Sequence, residues 1–285
     1  MDIYQTVTDA IVAAIEKGAG DCAMPWHRGS TEPVNALTGA TYRGINIVNL
    51  WVASQAKGHT SHVWATYKQW RELGAQVRRG ERSIPIAFYK TYIVEVGDET
   101  EERRVIKWSN VFNADQVDDY TPPETPEMPP LERLAAVDGF VTGTGANVIE
   151  GGSLAFYRHS TDTVHMPDGE RFIDTTSGTR TENYYAVLMH ELGHWTGAEH
   201  RLARDMVSRF GTAAYAMEEL VAELSAAFLC SKLGITPTVR EDHAQYIDNW
   251  LQALRSDKKA IFTAAARAQE AVEYLCSLGG ANADG

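Results

Sequence analysis

Residues 184–201 read YYAVLMHELGHWTGAEHR, and the HELGH at their centre decides how the second half of the chain is read. His190 and His194 are four residues apart. On a helix that spacing stacks both imidazoles on one face, where they can share a metal ion. Glu191 stands beside them without having to bind the ion, placed to act as a general base on water. The flanking residues have a helical period, with Tyr185, Leu188, Met189 and Leu192 recurring at three and four residues. Asn183 is the expected N-cap and Gly197 the expected C-terminal stop. Histidine and glutamate buried in a helix need partners, and a metal supplies one.

A catalytic zinc site has three protein ligands and one open position, so a third ligand is expected downstream. Residues 215–234, YAMEELVAELSAAFLCSKLG, carry a helical apolar face that Gly234 ends. Glu218, Glu219 and Glu223 compete on it. Glu219 and Glu223 share a face, whereas Glu218 points about 100° away. Glu219 is therefore the expected third ligand. Glu223, one turn on, is expected to accept a hydrogen bond from the outer ring nitrogen of a ligand histidine. Asp205 and His200 are weaker candidates, because His200 follows His194 too closely for the longer metzincin spacing. Zn2+ suits this donor set, and Mn2+ or Co2+ is also accepted by it.

At 285 residues the chain is long enough for two ordinary domains, and 44% hydrophobic with 22% charged residues is the balance of a soluble globular protein. No apolar run approaches a membrane span of roughly 20 residues, so no membrane partner is expected. The first 18 residues read as an acidic amphipathic helix, without the basic start of a secretory signal. Three scattered cysteines, Cys22, Cys230 and Cys276, argue for a reducing cytoplasm rather than a disulfide scaffold.

TPPETPEMPP (121–130) holds five of the ten prolines and reads as an extended connector. Charge divides across it. The chain carries a net −12, yet residues 22–94 hold nine basic and three acidic residues, a net +6. That stretch also holds four of the seven tryptophans. Cations that meet phosphates and aromatics that stack on exposed bases are the physical solution for single-stranded nucleic acid. The candidate contacts are Arg43, Lys68, Arg71, Arg78, Arg79 and Arg82, with Tyr42, Trp64 and Trp70. Among the aromatics, packing in a small domain's core is the competing role for each tryptophan. Neither a zinc finger nor a P-loop is present, so little sequence preference is expected.

The coarse pattern predicts helices over about 3–18, 45–56 and 64–73, then a hairpin of 84–96 with 104–113 through the acidic GDETEE turn. A further helix begins near Leu131, and SLAFYRHSTDTVHMP (153–167) alternates like a half-buried strand pair. His159 and His165 read as structural or rim residues. Tyr184 and Tyr185 read as core.

Glu219-Leu-Val-Ala222-Glu223 is similar to the ligand-bearing helix of gluzincin-type metallopeptidases, whose first glutamate binds zinc. Together with PVNALTGATYRGIN (33–46), SHVWATYKQWRELGAQVRRGERS (61–83), VFNADQVD (111–118) and STDTVHMP (160–167), the chain resembles the ArdC-like antirestriction proteins of conjugative plasmids over nearly its whole length. The resemblance implies a single-stranded-DNA-binding domain joined to a zinc metallopeptidase-like domain. The expected architecture is thus α+β in two domains. A small mixed α/β DNA-binding domain covers 1–120, and a helix-rich zincin-like domain covers 131–285. Single-stranded DNA is the expected partner, with duplex DNA admitted, and the protein substrate is left open. The alternative is a non-catalytic DNA-binding shield whose metal site is a scaffold.

Overall fold

A computed structural model describes residues 2–19, 24, 26, 31–96, 99–122, 130–175, 178–204, 212–235 and 244–280. Cys22, Asp205 and most of the proline-rich connector lie outside the described residues. The chain forms two compact units, one of Pro33–Glu124 and the other of Met1–Glu32 with Thr125–Gly285. The architecture is α+β, as expected. The N-terminal helix belongs to the same compact unit as Thr125–Gly285.

In the Pro33–Glu124 unit, strand β1 (Val34–Asn35) runs parallel to β2 (Val63–Thr66). The long strands β4 (Ile84–Val96) and β5 (Glu99–Asn113) pair antiparallel, and the sheet order is β1-β2-β5-β4. Short strands β3 (Gln76–Val77) and β6 (Val117–Asp118) form a separate antiparallel pair. Helix α2 (Ile45–Lys57) buries Ile47, Val48, Leu50 and Trp51. Its Asn46 side chain exchanges two hydrogen bonds with the Ala87 backbone, and Asn49 donates to Pro85 O. These two asparagines satisfy backbone groups of β4, the strand at the sheet's edge.

The helix expected over 64–73 is shorter than predicted. Within β2, residues 64–66 pair with β5, and α3 (Tyr67–Glu72) begins only after Thr66. The Thr66 side chain and Gln69 form a capping box, which fixes the start of α3 at that threonine. The β-branched and aromatic residues ahead of the cap then favour a strand.

In the other unit, α1 (Ile3–Gly18) buries Val7, Ile11 and Ile15. Its Thr8 hydroxyl donates to Lys258 O, just past α7 (Ala244–Ser256). Helix α4 (Pro130–Thr144) is followed by a three-stranded sheet of β7 (Asn147–Glu150), β8 (Phe156–Arg158) and β9 (Thr163–Met166), in the order β7-β9-β8. Helices α5 (Arg180–Trp195), α6 (Ala213–Leu233) and α8 (Ala260–Gly279) build the core. Helix α6 is buried continuously from Glu218 to Ser231. Thr179, not Asn183, caps α5, in a box with Glu182. The helix therefore starts one turn earlier than its apolar period suggests. Gly234 ends α6 in the left-handed conformation, as expected. Cys230 and Cys276 are buried thiols. Among the described residues, no helix is long and apolar enough to cross a membrane.

Candidate functional site

Gly193 lets α5 and α6 approach. A Cβ at this position would lie 3.1 Å from Ala222 Cα and 3.2 Å from its carbonyl oxygen. The close crossing brings one face of HELGH against the glutamates of α6. His190 Nε2 lies 3.6 Å from Glu219 Oε2, and His194 Nε2 lies 3.7 Å from Glu219 Oε1. One donor atom from each of His190, His194 and Glu219 falls within 4.8 Å of the others. Two imidazole nitrogens and a carboxylate are the donor set a divalent ion such as zinc takes, so the residues present fit the expected ion.

Three glutamates on a buried helix each require a partner. Glu219 faces both histidines. Glu223 Oε2 lies 3.3 Å from His190 Nδ1, and its other oxygen accepts from Trp26 Nε1 at 3.1 Å. Glu218 Oε1 lies 3.3 Å from His194 Nδ1. Both of its oxygens accept from Arg204, at 3.0 and 2.8 Å. Arg204 also donates to Gly193 O and to the Thr196 hydroxyl, which ties the end of α5 to α6. Glu223 thus sits at the outer ring nitrogen of His190. Glu218, weighed only as a rival ligand, occupies the corresponding position at His194.

Charge in this cluster is arranged for a cation. Burial works against a charge on His194, but hydrogen bonds to Glu218 and Glu219 prevail and lift its pKa to about 10. Burial likewise raises Glu219, yet its hydrogen bonds to His190 and His194 hold it far below the carboxylate range. Glu191 is buried, and its charge adds to the pull on His194. Tyr215, one turn before Glu219, has its phenol pushed up by burial and by hydrogen bonds with Tyr246 and Glu219.

The other weighed residues stand apart from this cluster. His200 is exposed and lies 3.4 Å from Asp162. His165 stacks on Phe156 at 4.6 Å. Tyr184 donates to Glu150 and Tyr185 to Asp138. Sequence reasoning did not find Arg204, Trp26 or Tyr215. Only Tyr215 had a signal, its four-residue spacing from Glu219.

In the Pro33–Glu124 unit, Arg43, Lys68, Arg71, Arg78, Arg79 and Arg82 are all exposed. The three aromatics assigned with them are not. Trp64 and Trp70 are 0% exposed and Tyr42 is buried. Trp70 donates to Phe112 O and packs on Tyr120, while Tyr42 donates to Trp64 O. They are core, and no base can stack on them without unfolding their surroundings. Among the described residues of this unit, the exposed aromatics are Tyr67 at 46% and Phe88 at 43%. Tyr67, Gln76, Arg78, Arg79 and Phe112 line an open cleft of about 520 Å³. Arg78 is held there by Glu81, Asp118 and the Val117 and Asp115 carbonyls.

A zinc-type HExxH helix crossed by a glutamate-bearing helix is the mark of a zincin-like metallopeptidase domain, and residues 135–267 match the zincin-like metallopeptidase family. Residues 1–116 match the N-terminal domain of the anti-restriction factor ArdC. The crystal structure of the metal-free antirestriction protein ArdC from plasmid R388 superposes with a TM-score of 0.79, at 36% identity over 98% of both chains. Its Mn(II)-bound form gives 0.78 at 35% identity over 99% of both. The chain belongs to the ArdC family of antirestriction proteins. It is also 47% identical to the uncharacterized protein y4eC of Sinorhizobium fredii, over 96% of this chain and 91% of that one. A DNA primase, TraC of Escherichia coli, matches at 35% identity over 95% of this chain, which spans only 27% of the primase's length.

Proposed function

We propose that this protein is an antirestriction factor that binds single-stranded DNA through its Pro33–Glu124 unit and carries a divalent-metal peptidase site in the other. His190, His194 and Glu219 would hold the ion, with Zn2+ first and Mn2+ or Co2+ accepted. The carrying observation is the convergence of these three side chains, with each outward imidazole nitrogen resting on a buried carboxylate. The Mn(II)-bound form of the R388 relative supports a divalent ion.

Bound there, the ion would acidify a water molecule and polarise a peptide carbonyl. Glu191 takes the proton from the attacking water and returns it to the leaving amine. Glu223 and Glu218 keep both ligand imidazoles in the tautomer that presents Nε2. The exposed arginines and Lys68 neutralise phosphates, and Tyr67 supplies an exposed ring for a base.

Metal analysis of purified variants tests the ligand set. Wild type should hold about one ion per chain, and Glu219→Ala should lose most of it. Glu218→Ala should retain an ion at weakened affinity. A Glu219→Ala protein that stays fully loaded while Glu218→Ala is empty reverses the assignment.

A further inference from the structure

We infer that Trp26 is a positioning residue of the metal centre, acting through Glu223 on His190. The inference rests on the metal-site reading above. Trp26 is 0% exposed. Its indole Nε1–H donates to Glu223 Oε1 at 3.1 Å, and Glu223 Oε2 lies 3.3 Å from His190 Nδ1. The indole is itself held, packed 6.4 Å from the ring of Trp250, whose own N–H donates to Ala216 O on α6.

A ligand imidazole can turn about its ring bond and offer either nitrogen. A carboxylate at Nδ1 settles both the orientation and the tautomer. That carboxylate has the same freedom unless its second oxygen is also held. A buried carboxylate oxygen left unpaired would be destabilising in its own right. Trp26 supplies a donor to that oxygen.

The chemistry of that donor matters. An indole N–H is neutral and only donates. It steadies Glu223 without bringing a positive charge of its own. The arrangement at His194 differs, because there Arg204 grips both oxygens of Glu218 with a guanidinium.

Position in the chain gives this contact a further consequence. Residue 26 lies within the stretch that matches the ArdC N-terminal domain, yet it packs in the unit that contains the candidate ligands. The metal centre is thus completed from a segment more than 150 residues before His190. A protein cut at the proline-rich connector loses this support even though it keeps all three ligands.

The test titrates Zn2+ into metal-free full-length protein against a chromophoric chelator, with no peptide substrate. Variants are Trp26→Phe, Glu223→Ala and their combination. Glu223→Ala should weaken Zn2+ binding by about 10–100-fold, the range for lost partners of ligand histidines, and Trp26→Phe by roughly tenfold. In the Glu223→Ala background, Trp26→Phe should add less than about twofold, because the link it acts through is gone. Equal losses in both backgrounds would mean that the indole only packs, and overturn the inference. So would a folded Trp26→Phe with wild-type affinity. If Trp26→Phe fails to fold, 3-benzothienylalanine at position 26 keeps the ring shape without the N–H. Roughly tenfold weaker binding supports the inference, and unchanged binding overturns it. Wild type that binds no divalent ion sinks the metal reading itself, a different failure from a bound ion indifferent to Trp26.

Discussion

His194 is where a metal ion and a proton compete. In the metal-free protein, its carboxylate neighbours raise its pKa to about 10, so it carries a proton at neutral pH. A ligand imidazole must be neutral, so metal loading should release about one proton from this residue. Calorimetry of Zn2+ binding near pH 7, in buffers of different ionisation enthalpy, should count it. Apparent affinity should rise about tenfold per pH unit between pH 6 and 8, and a flat profile would refute this picture of His194. The sign for stability follows. The folded pKa lies above the ordinary 6.5, so the charged His194 stabilises the metal-free fold fully below that value and loses this contribution as pH rises towards 10. The difference in melting temperature between loaded and metal-free protein should therefore widen with rising pH. Glu191 answers a separate question. Glu191→Ala should keep the ion and the fold while peptide hydrolysis falls by about 10²–10⁴-fold. Hydrolysis that survives the substitution would remove Glu191 from the proposed mechanism.

At the scale of elements, the candidate site is a crossing of two helices, and Gly193 sets its closeness. Gly193→Ala forces a methyl against the Ala222 backbone. It should lower stability by about 1–3 kcal/mol, as overpacking does, and weaken metal binding by moving Glu219 from the histidines. Gly143→Ala is the control. Its Cβ would meet Gly279 Cα at 2.9 Å where α4 crosses α8, so it should destabilise the fold without a selective loss of metal affinity. If both variants weaken metal binding alike, the α5–α6 approach is not special. The crossing also explains what the sequence could convey. His190, His194, Glu219 and Glu223 were legible because helical spacing fixes which residues share a face. Glu218 was weighed only as a rival ligand, because spacing along one helix does not say what a second helix brings near it. Arg204 and Trp26 had no local signal, being delivered by the chain's path between elements. The strand at 63–66 was hidden because an apolar run too short to show its period reads equally as helix or strand. Trp64 and Trp70 show the same limit, since composition placed tryptophans among cations without saying which face they take.

For the whole molecule, the question the proposal raises is whether antirestriction would rest on DNA occupancy or on peptide cleavage. Arg78 is unsuited to test the DNA arm, because its bonds to Glu81, Asp118 and two backbone carbonyls make its loss a structural change. Lys68 and Arg79 are exposed, and their reversal to glutamate in the full-length chain is the cleaner probe. Single-stranded DNA affinity should fall for all sequences, and the slope of log affinity against log salt should shrink by about 1.4 as two phosphate contacts vanish. Tyr67→Ala should weaken binding by about 1–3 kcal/mol if its ring stacks on a base. An affinity independent of salt would remove the electrostatic basis of the proposal. Deleting residues 1–120 is a poor alternative. It removes α1 and Trp26, which pack in the unit that holds the ligands, so it damages both arms at once. The decisive comparison is an antirestriction assay in cells with Glu191→Ala beside the Lys68/Arg79 reversal. We expect protection to survive Glu191→Ala and to fail in the reversal. A stoichiometric coat can block a nuclease without turnover, whereas cleavage needs a specific target that no feature of this chain identifies. Loss of protection in Glu191→Ala, with DNA binding intact, would instead make peptide hydrolysis part of the defence.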